Sequence, residues 1–242
     1  MLRFTKQNPA EEIARERVKG TKTMNIVSGK TNLLMYVLLA SVLTSGSATA
    51  ASFSMTATDA AGKPVIGVVA ALVPDPKPAF TEKAKAIMDQ RNKQFTPGVL
   101  AVRTNTLVYF PNSDDVRHQV YSFSPAKRFE LRLYHGRTAE PVLFDRPGQV
   151  ILGCNIHDSM VAYIYVVDSE YFAVANDQGQ LNIANIPAGN YSLEVYQPKL
   201  SAPWPAQKIS LTQDQHLQQK ITLSQFVEDK KPAEDSLDNL FK

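Results

Sequence analysis

The chain has a single cysteine, Cys154, so no internal disulfide can form. Three readings of that thiol remain: an inert buried side chain, a link to another molecule, or a metal ligand. Also missing is any apolar run approaching the roughly 20 residues that span a bilayer. The run Leu33 to Leu43 follows Lys30, is about a dozen residues long, and gives way to small residues ending in Ala48-Thr49-Ala50. It reads as an export signal cleaved after Ala50, which predicts a periplasmic or otherwise exported protein with no stable membrane span after cleavage. An uncleaved anchor is the alternative. Residues 1–23 are polar and Met24 opens a normal signal peptide, so the expected start is Met24 or the extension is disordered. Charge excess is absent too. Residues 1–50 hold seven Lys/Arg and three Asp/Glu, leaving 19 basic against 20 acidic side chains beyond them. A near-neutral body excludes a nucleic-acid partner, which needs a basic face. About 190 residues suffice for one large or two small domains.

What is present is strand-like. Ala51 to Val73 alternates around Asp59-Ala60-Ala61-Gly62-Lys63-Pro64, which predicts a hairpin-like opening. Pro74-Asp75-Pro76-Lys77-Pro78 is loop, and Ala84, Ile87 and Met88 sit at helical spacing in 79–92, a helical turn or two or an ordered loop. From Phe95 to Val167 short β-branched and aromatic runs alternate with turns such as Pro111 to Asp115 and Asp145 to Gly148. This punctuation predicts an antiparallel Greek-key sandwich. After Asp168, Asn176-Asp177-Gln178-Gly179 and Ile186-Pro187-Ala188-Gly189-Asn190 predict two hairpins within a smaller sandwich ending near Leu223. The expected organisation is a leader over 1–50, one β-sandwich over 51–168, a second over 169–226, and a charged, disordered or frayed tail over 227–242.

The chemistry gathers in Gly153-Cys154-Asn155-Ile156-His157-Asp158-Ser159-Met160, where a thiolate, an imidazole and a thioether fall within seven residues. A second imidazole, His118, opens a strand just after the polar turn at Asp114-Asp115. Two His, one Cys and a weak axial Met form the ligand set of a blue-copper electron-transfer site. One imidazole comes from a strand end distant in sequence, and the other ligands hang from one loop between Val150-Ile151-Leu152 and Ala162-Tyr163-Ile164-Tyr165.

The run Val108 to Asp114 with His118-Gln119-Val120, then Phe144 to Gly148 and Cys154 to Met160, resembles a plastocyanin-type cupredoxin. More narrowly it is similar to periplasmic cupredoxin-like proteins described as methylamine-utilisation or plastocyanin-like. The resemblance covers residues 95–167, with 51–73 supplying the first strands. It implies one bound copper, held by His118, Cys154, His157 and Met160, and electron exchange with a redox protein partner through the edge of His157. One departure is the loop: two residues rather than four separate His157 from Met160. The stretch Asp177 to Ile183 with Ile186 to Leu193 is similar to the carboxypeptidase-regulatory-like domain, a transthyretin-like β-sandwich that is structural or adhesive.

The other candidates read as structural. His135 follows a strand, and His216 lies in a polar run. Asp114-Asp115 fits a turn better than a hard-cation site, and Trp204 caps a core. A Cys154–His157 nucleophile lacks an orienting group, so no enzymatic activity is expected. Two alternatives to electron transfer stand at this point. One is a copper-handling protein that does not cycle the metal; the other is a metal-free structural or carbohydrate-binding module.

Overall fold

The computed structural model describes residues 50–136 and 140–224; the predicted signal, the Met24 start and the charged tail from 227 lie outside them. No helix occurs among the described residues, so none is long and apolar enough to cross a membrane. The strands are β1 Ala51–Thr58, β2 Val69–Pro74, β3 Ala84–Ile87, β4 Asp89–Arg91, β5 Gln94–Thr96, β6 Val99–Arg103, β7 Thr106–Tyr109, β8 His118–Ser122 and β9 Phe129–Tyr134. They continue as β10 Val142–Phe144, β11 Gly148–Gly153, β12 Val161–Val167, β13 Tyr171–Val174, β14 Gln180–Ile186, β15 Gly189–Tyr196, β16 Gln207–Leu211 and β17 Gln215–Lys220.

Two cores form. In the first, the sheet β14-β1-β17 faces the sheet β13-β2-β15-β16. Alternation along β1 turns Ala51, Phe53, Met55 and Ala57 inward, and they meet Leu72, Leu193 and Ile183. In the second, the five-stranded sheet β6-β12-β11-β8-β9 faces β10-β7-β3. Its centre holds Phe110, Phe144, Leu152 and Ile164, with the Phe110 and Phe144 ring centroids 6.5 Å apart. Each such side chain, fully buried, contributes about 1.5–3 kcal/mol of transfer free energy. A seam joins the cores. Tyr165 of β12 stacks on Tyr196 of β15 at 4.6 Å and 9°, beside Val69 and Ala101, and the Tyr165 hydroxyl donates to Glu194 at 3.2 Å. Burial and the Glu194 carboxylate push that phenol above the ordinary tyrosine range, so it stays a neutral donor.

Three expectations are corrected. Residues 51–73, expected to open the first sandwich over 51–168, belong to the other core. β1 runs parallel to β17 and antiparallel to β14, while β2 lies between β13 and β15. The smaller sandwich is therefore built from both ends of the described chain, with residues 84–167 inserted between them. Alternation identifies a half-buried strand but not its partner. The two hairpins after Asp168 are not hairpins either, because β13 and β15 lie in one sheet and β14 in the sheet facing it. Both Gly turns carry the chain across the core as arches. The helical spacing in 79–92 forms no helix. A helix that short is marginal in water, whereas β3 gains a parallel ladder on β7 and β4 pairs with β5. The Asp59–Pro64 turn closes as expected, bridging Thr58 and Pro64, but it opens into an arch and not a hairpin, because β1 and β2 lie in facing sheets. Trp204 packs against the first core, also as expected.

Candidate metal centre

The Cys154 loop is two turns placed end to end. The His157 amide donates to the Cys154 carbonyl at 3.4 Å, and the Met160 amide donates to the His157 carbonyl at 2.9 Å. A spacing of three residues is the span of one such turn. Cys154, His157 and Met160 thus stand at successive corners between β11 and β12, which pair from Gly148↔Val166 to Gly153↔Val161. The lead-in is tight. A Cβ on Gly153 would fall 2.6 Å from the Tyr121 ring carbon Cζ, so that ring closes over the strand beside the cysteine.

His118 arrives from β8, paired with Tyr134 of β9. The register shifts between His118 and Val120, a bulge of the kind that re-aims a side chain beside a site. The preceding loop is held by Asn112, whose side-chain amide donates to the Val116 and Tyr134 carbonyls at 2.9 and 3.0 Å. Asn112 Oδ1 accepts the Asp114 amide at 3.0 Å. This network turns the loop back so that His118 points inward with 0% of its surface exposed.

The result is a convergence. His118 Nδ1 and His157 Nδ1 each lie 3.9 Å from Cys154 Sγ, and one ligand atom from each of the three residues falls within 4.8 Å of the others. The imidazole planes meet at 62° with centroids 5.0 Å apart. A single S–H can serve only one nitrogen, and 3.9 Å is long for that, so two ring nitrogens stop short of one sulfur with a gap between them. An ion with bonds of about 2.05 Å to nitrogen and 2.3 Å to sulfur would bridge 3.9 Å at an S–metal–N angle of roughly 127°. A tetrahedral angle would need roughly 3.6 Å with the same bonds. The spacing therefore fits a near-trigonal site of two nitrogens and one sulfur.

Burial supports a ligand role over a nucleophilic one. Cys154 is 3% exposed, whereas reactive thiols are partly accessible. Met160, 1% exposed, lies in the same core cluster as Cys154. His157 is half-buried and is the one of the two rings that meets solvent, next to the exposed Ile156. His135 and His216 stay outside this group and are exposed, and the His216 ring nitrogen Nδ1 pairs with Ser54 Oγ at 2.8 Å.

One functional residue escaped the sequence reading. Asp114, read as part of a turn, places Oδ2 2.7 Å from His118 Nε2. Burial alone would raise its carboxyl pKa. The amides of Lys93 and Asn92 and the His118 ring outweigh burial and hold it below the usual carboxylate range. The available signal was the four-residue spacing from Asp114 to His118, which lets a turn carboxylate reach back to the ring.

No family model and no curated protein matches the chain by sequence. Solved structures give partial likenesses. The copper-containing nitrite reductase of Thermus scotoductus SA-01 is 23% identical at TM-score 0.32, over 34% of this chain and 22% of that one. This chain thus spans about a fifth of that relative's length. A purple cupredoxin from Nitrosopumilus maritimus is 22% identical at TM-score 0.30, over 34% and 98%. A reduced, singly substituted amicyanin is 16% identical at TM-score 0.31, over 40% and 91%. Each likeness covers two fifths of the chain or less, and the side-chain convergence at Cys154 carries the functional reading.

Proposed function

We propose that this protein is an exported one-electron carrier that holds a single copper ion between His118 Nδ1, Cys154 Sγ and His157 Nδ1, with Met160 as the weak fourth ligand. The observation that carries this reading is the pair of 3.9 Å gaps from two imidazole nitrogens to one buried sulfur. Copper in such a His₂Cys set alternates between Cu(I) and Cu(II), exchanging one electron with a redox protein partner.

The chain's own residues do the rest. β11 and the double turn position the sulfur, and β8 positions His118, so the fold itself places these donors. The surrounding core, with Phe110, Val120 and Leu152 buried, keeps water from His118 and Cys154. His157 offers the partly exposed edge that a partner can approach. No other trio of His, Cys, Asp or Glu side chains among the described residues is placed to hold a metal ion, and the reading is of a carrier.

The test is copper titration followed by voltammetry. The expected result is one equivalent bound and a reversible one-electron wave. Tight Cu(I) binding without a reversible wave would favour copper handling. A protein that stays metal-free in excess copper would contradict the reading.

A further inference from the structure

The β4–β5 hairpin forms its own two-stranded sheet; Phe95 packs into the second core, and the hairpin is fastened to the loop that carries His118. The Gln90 amide donates to the Pro111 carbonyl at 3.1 Å, and the Ser113 amide donates to the Gln90 carbonyl at 2.9 Å. The Ser113 hydroxyl lies 2.9 Å from both oxygens of Asp89, and Gln90 Nε2 donates to the Pro111 carbonyl at 3.2 Å. The hairpin tip is unusual. Asn92 and Lys93 both have φ of 55°, the two-residue turn that normally calls for Asn-Gly. Successive left-handed residues aim neighbouring amides at a common point, an anion-binding arrangement. That point is occupied. Asp114 Oδ1 accepts the Asn92 amide at 2.5 Å and Oδ2 accepts the Lys93 amide at 2.8 Å. The same Oδ2 takes His118 Nε2 at 2.7 Å.

We infer that the hairpin tip and Asp114 form an outer brace that sets the tautomer of His118 and holds one negative charge against the metal centre. This inference rests on the copper reading above. The logic is local. A carboxylate whose oxygens already accept two amides can only accept from the ring, so a proton must sit on Nε2. In the neutral ring Nδ1 is then the bare lone pair, and it is Nδ1 that lies 3.9 Å from Cys154 Sγ. The imidazole is fully buried, so the anion acts on the centre with little water between them. A negative charge there favours the more highly charged Cu(II) state over Cu(I), and so lowers the reduction potential. Asp114 is a positioning residue, acting through His118.

The test has two readouts. In the metal-free wild-type protein, at a pH where the ring is neutral, ¹⁵N NMR of the His118 ring should show the proton on Nε2; a neutral ring protonated on Nδ1 alone would overturn the brace, whether or not any variant folds. In the copper-loaded protein, Asp114→Asn removes the charge at nearly constant shape. It should weaken the preference for Cu(II) by about tenfold, raising the potential by ~59 mV. Asp115→Asn removes an exposed neighbouring charge that does not touch the ring, and should change that preference less than about twofold, because solvent screens it. Equal shifts in the two variants would reduce the effect to general charge and overturn the brace. A wild type that takes no copper would sink the copper reading itself. One that takes copper but ignores Asp114→Asn would sink the brace alone.

Discussion

Replacing His118 with alanine is expected to lower copper affinity by at least about 100-fold, the upper end of what losing a mere supporting residue costs. His118 is the only one of the two converging imidazoles that is fully buried, and it alone is oriented by a carboxylate. Its removal leaves one nitrogen and one sulfur, and it also leaves Asp114 facing an empty volume with its charge uncompensated by the ring. Competition against a chelator of known affinity measures the change. An affinity within about threefold of wild type would mean that the metal sits elsewhere. His157→Ala should also weaken binding, but by less, since water can reach that half-buried position and serve as a substitute ligand.

The second large effect lies far from the metal. Gly179 closes the arch between β13 and β14 at φ +71, and a Cβ there would meet the Ala57 carbonyl oxygen at 2.4 Å and the Val65 nitrogen at 3.1 Å. Neither neighbour is a flexible side-chain tip. Both are backbone, tied into the same corner by the Ala57 amide donating to the Gly179 carbonyl at 2.8 Å and the Val65 amide donating to the Ala57 carbonyl at 3.0 Å. Gly179→Ala combines left-handed strain with a backbone clash, and should destabilise the protein by about 3 kcal/mol or more. That corresponds to a fall in Tm of roughly 6–12 °C for a chain this size. Gly62, at φ +80 with nothing within 4 Å, supplies the comparison, because Gly62→Ala carries the strain without the clash. It should cost only about 1 kcal/mol. Chemical denaturation of both variants separates the terms. Equal losses would show that the arch yields freely around the added methyl.

Much of the candidate site was legible because its logic is local. Cys154, His157 and Met160 sit three residues apart, and three residues make one turn, so a loop carrying three candidate donors can be read from spacing and ligand chemistry. His118 was legible as an imidazole at a strand start after a polar turn. The strands themselves were legible wherever alternation or β-branched runs met turn residues, as at Val99–Arg103 or Val161–Val167.

What escaped was pairing over distance. Nothing in Ala51–Thr58 says that its partners are Gln180–Ile186 and Gln215–Lys220, and not the strands that follow it directly. The same blindness made sheet-crossing arches look like hairpins, because Asn176 to Gly179 turns the chain equally well in either setting. The contact from Asp114 to His118 escaped for a related reason. A carboxylate in Pro111-Asn112-Ser113-Asp114 satisfies turn chemistry by itself, and only the hairpin at Asn92 and Lys93 reveals what it grips.

The central claim is a copper–thiolate bond at Cys154, and the visible spectrum of the Cu(II)-loaded protein beside Cys154→Ser tests it most directly. The account predicts an intense band near roughly 600 nm that mild reductant bleaches and that is absent from the serine variant, as a His₂Cys copper site requires. A colourless wild type, or a band that survives in Cys154→Ser, would contradict it.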